Sequence, residues 1–191
     1  APCQLLCYSE FTLFSYKDSY TINEAHTIEL FTGLRKDLQK LSLGTYFAQA
    51  AETMSQEDLP NPELQSLFLN CLYALDKLDK PELLVKSVFE FRSASLAGYI
   101  CGSQAPAYFD ISGGALLCEK CRGATTGIRM PITAAILEAM RYITYCDSKK
   151  LFSFEIGREA LVQLSSITEA YLTTQLERGF STLDFYKSLL I

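Results

Sequence analysis

The chain has a single histidine, His26. A general base needs a nucleophile within reach and a third group to orient it, and no such constellation accompanies His26. It reads as a surface or structural residue, and an enzyme is hard to build here. A phosphate loop is also lacking. "SGGA" at Ser112 to Ala115 is too short and isolated, and is better taken as a hairpin turn. The neighbouring carboxylates Glu57 and Asp58 fall in a loop and read as solvated. No apolar run approaches about 18 residues, so no membrane-spanning helix is expected. The opening "APCQLLCYSE" lacks the basic and apolar regions of a signal peptide. It also lacks an initiating methionine, which is compatible with a fragment or a trimmed chain. Basic residues do not predominate: 17 Lys and Arg face 22 Asp and Glu, a net charge of −5. That argues against strong non-specific nucleic-acid binding, which needs clustered Lys and Arg.

What is present is ordinary globular composition, 49% hydrophobic and 20% charged, over 191 residues. Such a length accommodates one large domain or two small ones. Seven cysteines are an odd number, and they are too sparse for a disulfide scaffold. A reducing, cytosolic compartment fits them best. Cys3, Cys7, Cys71 and Cys146 sit on apolar runs and read as core residues. Basic residues gather locally at Arg35, Lys36 and Lys40, at Lys120, Arg122 and Arg129, and at Lys149 and Lys150. Each group is read as a solvated face.

Hydropathy patterning predicts a mainly α fold. Residues 3 to 22 alternate like strands, with "KDS" as the turn between them. Helical patterning is expected from about Glu24, where "EAHTIELF" reads as a short helix closed by Thr32-Gly33. Leu34, Leu38 and Leu41 then repeat at helical spacing, and the run continues to about Met54. Pro62 suits the first turn of the next helix. Within it Leu64, Leu67, Phe68, Cys71, Leu72, Leu75 and Leu78 form one stripe. Asp79 and Pro81 open a third helix, with Val85, Val88, Phe89, Arg92 and Leu96 on one face. Further helices are expected from Pro131 to Cys146 and along Leu161, Leu164, Ile167, Tyr171, Leu172 and Leu176. The sum is a bundle of antiparallel helices with short loops. Arg92, on an apolar face, is either a buried arginine that caps or pairs inside the bundle or a cation facing a partner groove.

A cysteine-bearing insert, about residues 100–123, interrupts the bundle. "GSQAPAYFDISGGALLC" has the composition of a small hairpin and ends in the pair Cys118 and Cys121. Cys101, followed by Gly102, stands upstream. A four-cysteine zinc ribbon needs a second Cys-x-x-Cys there, and Gly98 occupies the place of the missing ligand. Spacing alone leaves two readings open, a zinc site short of one ligand or three reduced cysteines without metal. A redox pair at Cys118 and Cys121 fits less well, because no βαβ pattern precedes it.

Several segments, taken in order, resemble the RecO family of bacterial recombination-repair mediators. They are "YSEFTLFSYKDSYTINEAHTIELFTGLRKDLQKLSLGTYFAQAAE", "NPELQSLFLNCLYALD", "PELLVKSVFEFRSASLAGY" and "YLTTQLERGFSTLDFYKSL". The resemblance covers essentially the whole chain. It implies that residues 1–23 are the last two strands of an N-terminal OB-fold, whose first strands are absent. Residues 24–191 would then be a helical domain with a small zinc-ribbon-like β insert. It further implies a structural zinc on Cys101, Cys118 and Cys121, the fourth cysteine belonging to a short segment lacking between Tyr99 and Ile100. The implied role is non-enzymatic and cytoplasmic, associated with the nucleoid. It comprises binding of single- and double-stranded DNA, mainly through the missing OB part, and of the C-terminal tail of single-stranded-DNA-binding protein. Work with RecR, strand annealing and RecA loading belong to the same role. An apolar groove with basic edges would hold the acidic tail, and Lys86 and Arg92 are its expected cations. This chain is expected to keep the peptide and lose most of the DNA. The rival reading is a zinc-ribbon helical adaptor that binds only protein.

Overall fold

The computed structural model describes residues 2–17, 19–57, 59–95, 107–120, 123 and 126–190. Two strands, β1 (Tyr8–Tyr16) and β2 (Ser19–Glu29), form an antiparallel ribbon in which Tyr16 pairs with Ser19. Cross-strand partners point to the same side of a sheet. One face therefore carries Phe11 opposite Ala25 and Leu13 opposite Ile22, and the other carries Glu10 opposite His26 and Thr12 opposite Glu24. The apolar face is uncovered, with Leu13 52% and Ile22 54% exposed.

The helix expected over "EAHTIELF" does not form. β2 runs on to Glu29, because Glu24 to Glu29 find ladder partners in β1 down to Tyr8. Short segments take the structure that a neighbour offers, and propensity alone is too weak to resist. The chain turns inward only at Phe31, where a buried ring and a positive φ of 46° start the helical body.

Six helices follow among the described residues: α1 (Leu38–Met54), α2 (Pro62–Lys77), α3 (Glu82–Ser95), α4 (Ala134–Tyr145), α5 (Arg158–Gln175) and α6 (Ser181–Ser188). Three of their starts, those of α1, α2 and α4, carry side-chain caps. Asp37 accepts from the amides of Gln39 and Lys40, Asn61 from that of Leu64, and Thr133 from that of Ile136, so orphan donors of each first turn are satisfied. α4 begins three residues later than expected, because Pro131 ends a short strand instead. That strand, β5 (Arg129–Pro131), pairs with β3 (Tyr108–Asp110), which also pairs with β4 (Ala115–Leu117) in an antiparallel sheet.

α3 is the axis of the bundle, packed against α5, α2 and α4. Val85, Val88 and Phe89 have no exposure at all, and the Phe89 ring stacks on Phe47 of α1 at 4.3 Å. Each such fully buried side chain is worth roughly 1.5–3 kcal/mol of transfer free energy. α6 closes the bundle over α1. Gln39 donates to the Leu189 carbonyl at 2.8 Å, and Thr182 bonds Gln49 at 2.6 Å. Of the cysteines expected in the core, Cys71 is fully buried, Cys7 and Cys146 are half-buried, and Cys3 is exposed. Cys3 lies in the turns ahead of β1, where no second layer covers it.

Candidate functional site

The axial helix carries an unexpected polar stripe. Lys86, Ser87, Glu90 and Ser93 are all buried. The Lys86 ammonium lies 2.9 Å from Glu90 Oε1, 2.8 Å from Glu169 Oε2 and 3.2 Å from Ser165 Oγ. Glu90 also accepts from the Tyr46 hydroxyl at 3.0 Å and from Thr168 at 2.8 Å. The second oxygen of Glu169 receives Lys187 of α6 at 2.8 Å. One network thus ties α1, α3, α5 and α6 together. Burial raises the Glu90 carboxyl above its ordinary range, against the pull of Lys86. Burial acts on Glu169 too, but Lys86 and Lys187 outweigh it and hold that carboxyl below its ordinary range. Burial and Glu90 push the Tyr46 phenol far up, so it stays a proton donor.

This corrects the expected position of Lys86. It was to stand at the edge of a groove, but it is 1% exposed, because Glu90 and Glu169 draw it into the bundle. Sequence reasoning missed both glutamates. The i,i+4 spacing of Lys86 and Glu90 was the available signal, but such pairs usually lie on helix surfaces. Glu169 is remote in sequence and gave no sign.

Arg92 is placed differently. Six residues along an α-helix turn the side chain by about 240°. Lys86 and Arg92 therefore point to different sides and share no groove. The Arg92 guanidinium donates to the carbonyls of Ile143 and Thr144, in the last turn of α4. A cation there meets the negative end of the helix dipole as well as orphan acceptors. The same side chain borders a cleft of about 280 Å³ between α2 and the segment after α4, with Leu67 and Leu151 beside it. So Arg92 is both a cap and a cleft residue.

That cleft meets a second, of about 540 Å³, at Ser148. Tyr73 and Lys80 line the second cleft from the α2 side, and Lys149 and Phe152 line it from the other. In the sequence Lys149 sits in a cluster that reads as a solvated face, and no local pattern marks Tyr73 or Lys80.

The cysteine insert is held by its aromatic and aliphatic residues. Phe109 of β3 meets Tyr171 of α5 edge-on at 5.0 Å and Phe91 of α3 at 5.8 Å. Ile111 and Leu116 are buried beside it. Gln175 donates to the carbonyls of Ile111 and Ser112 at 3.3 and 3.1 Å. Gly114, with φ +62°, lies so close to Tyr171 that an added Cβ would come within 2.3 Å of the hydroxyl. Cys118 follows β4 directly and is half-buried. Cys101 and Cys121 lie outside the described residues. Of the three thiols, a donor type that structural zinc sites take, only Cys118 is among the described residues.

His26 is exposed on the polar face of the ribbon, 3.8 Å from Glu24. Among the described residues, no helix is long and apolar enough to cross a membrane.

Comparison with known proteins agrees with this architecture. Residues 35–184 match the family described as Recombination protein O C terminal. The DNA repair protein RecO of Acetivibrio thermocellus is 36% identical over 99% of this chain and 79% of its own length. That of Dehalococcoides mccartyi is 30% identical over 97% of this chain and 77% of its own length. That of Caldicellulosiruptor bescii is 26% identical over 98% and 79%. With a family match that runs from just ahead of α1 into α6, and relatives aligned along nearly all of the chain, the chain belongs to the RecO family.

Proposed function

We propose that the chain is a non-enzymatic mediator of DNA repair and recombination. It binds single-stranded DNA and the protein that coats it, works with RecR, promotes annealing of complementary strands and helps to load RecA. It acts in the cytoplasm, at the nucleoid. Membership of the RecO family is the observation that carries this reading. The β1–β2 ribbon supports the OB-fold part. Its apolar face, Phe11, Leu13, Ile22 and Ala25, has the alternation of strands that line a small barrel. Further strands covering that face would complete the barrel and supply most of the contact with single- and double-stranded DNA. The helical domain then provides the protein-binding surface, with an acidic, aromatic-ended tail as its ligand and Arg92 as one cation. Lys86 acts inside the bundle and supports that surface from within.

The zinc reading belongs to the same proposal. Cys101, Cys118 and Cys121 would hold one structural Zn²⁺ with a fourth thiolate from a segment lacking between Tyr99 and Ile100. The match to the Acetivibrio protein runs over 199 residues, more than the 191 of this chain, which supports an additional segment in that relative. When bound, zinc would supply a structural staple for the cysteine end of the insert, beyond the part that Phe109, Ile111 and Leu116 anchor.

The net charge of −5 favours a second reading, an adaptor that binds protein only. Oligonucleotide affinity measured across a salt series separates the two. A mediator loses affinity steeply as salt rises, because counterions are released on binding. Negligible binding at every salt concentration supports the adaptor and removes the DNA part of the proposal.

A further inference from the structure

The two clefts that meet at Ser148 form one trough along α2, a helix about 24 Å long. On an acidic protein its lining has the opposite sign. Arg92, Lys80 and Lys149 stand against a single acid, Glu63. Neither Lys80 nor Lys149 has an ion-pair partner among the described residues. Lys77 and Lys150 flank the same end of α2 and the turn opposite, but Lys77 is 2.7 Å from Asp76 and Asp147 caps that turn. Between the cations the Tyr73 ring is half exposed, and the Asn70 amide and the hydroxyls of Ser148 and Ser153 supply polar contacts. Leu67, Leu151 and Phe152, which line the trough from below, are buried.

From this lining we infer that the trough along α2 holds a short stretch of single-stranded nucleic acid, its phosphates on Lys80 and Lys149 and a base on Tyr73. This deepens the mediator reading and rests on it. It locates a contact on the helical domain, apart from the strands of the ribbon. Single strands bind where a cationic groove follows the backbone and aromatic rings receive bases. An acidic peptide with one aromatic anchor calls for an enclosed pocket, which the Tyr73 end of the trough does not offer; Arg92 lines only the other cleft. Here the aromatic belongs to the protein, and the channel is open along its length. Duplex DNA shows no free base face to Tyr73.

Fluorescence anisotropy of labelled oligothymidylate with the whole chain tests the inference, between about 50 and 200 mM salt. Lys80→Gln with Lys149→Gln should reduce the slope of log affinity against log salt by about 0.7 per lysine. Tyr73→Ala should weaken binding by about 5- to 150-fold, with the salt slope kept, since stacking releases no counterions. Tyr73→Phe should retain wild-type affinity. These positions are exposed or half-buried, and unchanged circular-dichroism melts would confirm that the variants fold. Wild-type slope and affinity in the variants would overturn the trough while leaving DNA binding by the chain intact. Loss of an acidic, aromatic-ended peptide in the lysine variant, with oligonucleotide binding untouched, would make the trough a peptide site and also overturn the inference. No oligonucleotide binding by the wild type at the lowest salt would overturn the trough together with the DNA part of the mediator reading.

Discussion

Lys86 of α3 and Glu169 of α5 face each other at 2.8 Å across the central helix pair of the bundle. The same ammonium holds Glu90, which is wholly buried and also receives Tyr46 and Thr168. Desolvating these charges is expensive, so the network does not stabilise by its attraction alone. It fixes which faces of four helices meet. Removing one member leaves a buried charge without its partner.

Lys86→Met is therefore expected to cost about 3–5 kcal/mol. Lys86→Met with Glu90→Met should recover part of that loss, because the buried Glu90 carboxylate goes with its partner, while the Tyr46 and Thr168 hydroxyls lose their acceptor. Urea unfolding followed at 222 nm checks both. Additive losses in the double variant would show that Lys86 and Glu90 do not act as a pair.

The Glu169–Lys187 bond docks α6 and gives it a pH window. Glu169 has its folded-state pKa below the ordinary 4.5, so its contribution is complete above about pH 4.5 and is lost as pH falls through the lowered value. Lys187 is raised above 10.5 by its bond to Glu169, so its contribution is present below that pH and is lost as pH rises through the raised value. The stability gap between wild type and Glu169→Gln should be flat near neutrality and close on acidification. A gap that instead widens in acid would contradict the assignment.

Gly114 is the point where the cysteine hairpin rests on α5. An alanine would be strained at φ +62° and would meet the Tyr171 hydroxyl. Gly114→Ala is expected to destabilise by more than about 1 kcal/mol. Gly113→Ala, at ordinary φ with its nearest contact at 3.2 Å, is the milder control. Comparing their melting temperatures tests whether Gly114 is the seat of the hairpin, and equal shifts would deny it.

Much of the fold could be read from the sequence, for reasons that differ by element. The α2 stripe, Leu64, Leu67, Cys71, Leu72 and Leu75, is buried as its spacing predicts, because a surface helix has one core to face. The Lys17 turn and the hairpin at Gly114 were marked by turn residues. Glu24 to Glu29 was misread because its pairing with β1, 12 to 21 residues away, decides its conformation. Lys86 was misread because the residue that pulls it inward, Glu169, is 83 positions away, and no local pattern encodes that meeting. The trough was missed because it forms between α2 and the segment after α4, which only the fold brings together.

Zinc is tested by elemental analysis of the protein purified without chelator, with about one metal per chain expected. Cys118→Ser should lower the metal content and the melting temperature together. A metal-free protein whose stability does not change with Cys118→Ser would remove zinc from the account.

The central claim is that this chain acts on strands already covered by single-stranded-DNA-binding protein. Sedimentation of a labelled strand coated with that protein, with and without the chain, addresses it most directly. The account predicts a larger complex that contains all three components, and its loss when the coating protein lacks the final aromatic residue of its tail. No added mass on the coated strand, or equal binding with the shortened tail, would contradict it.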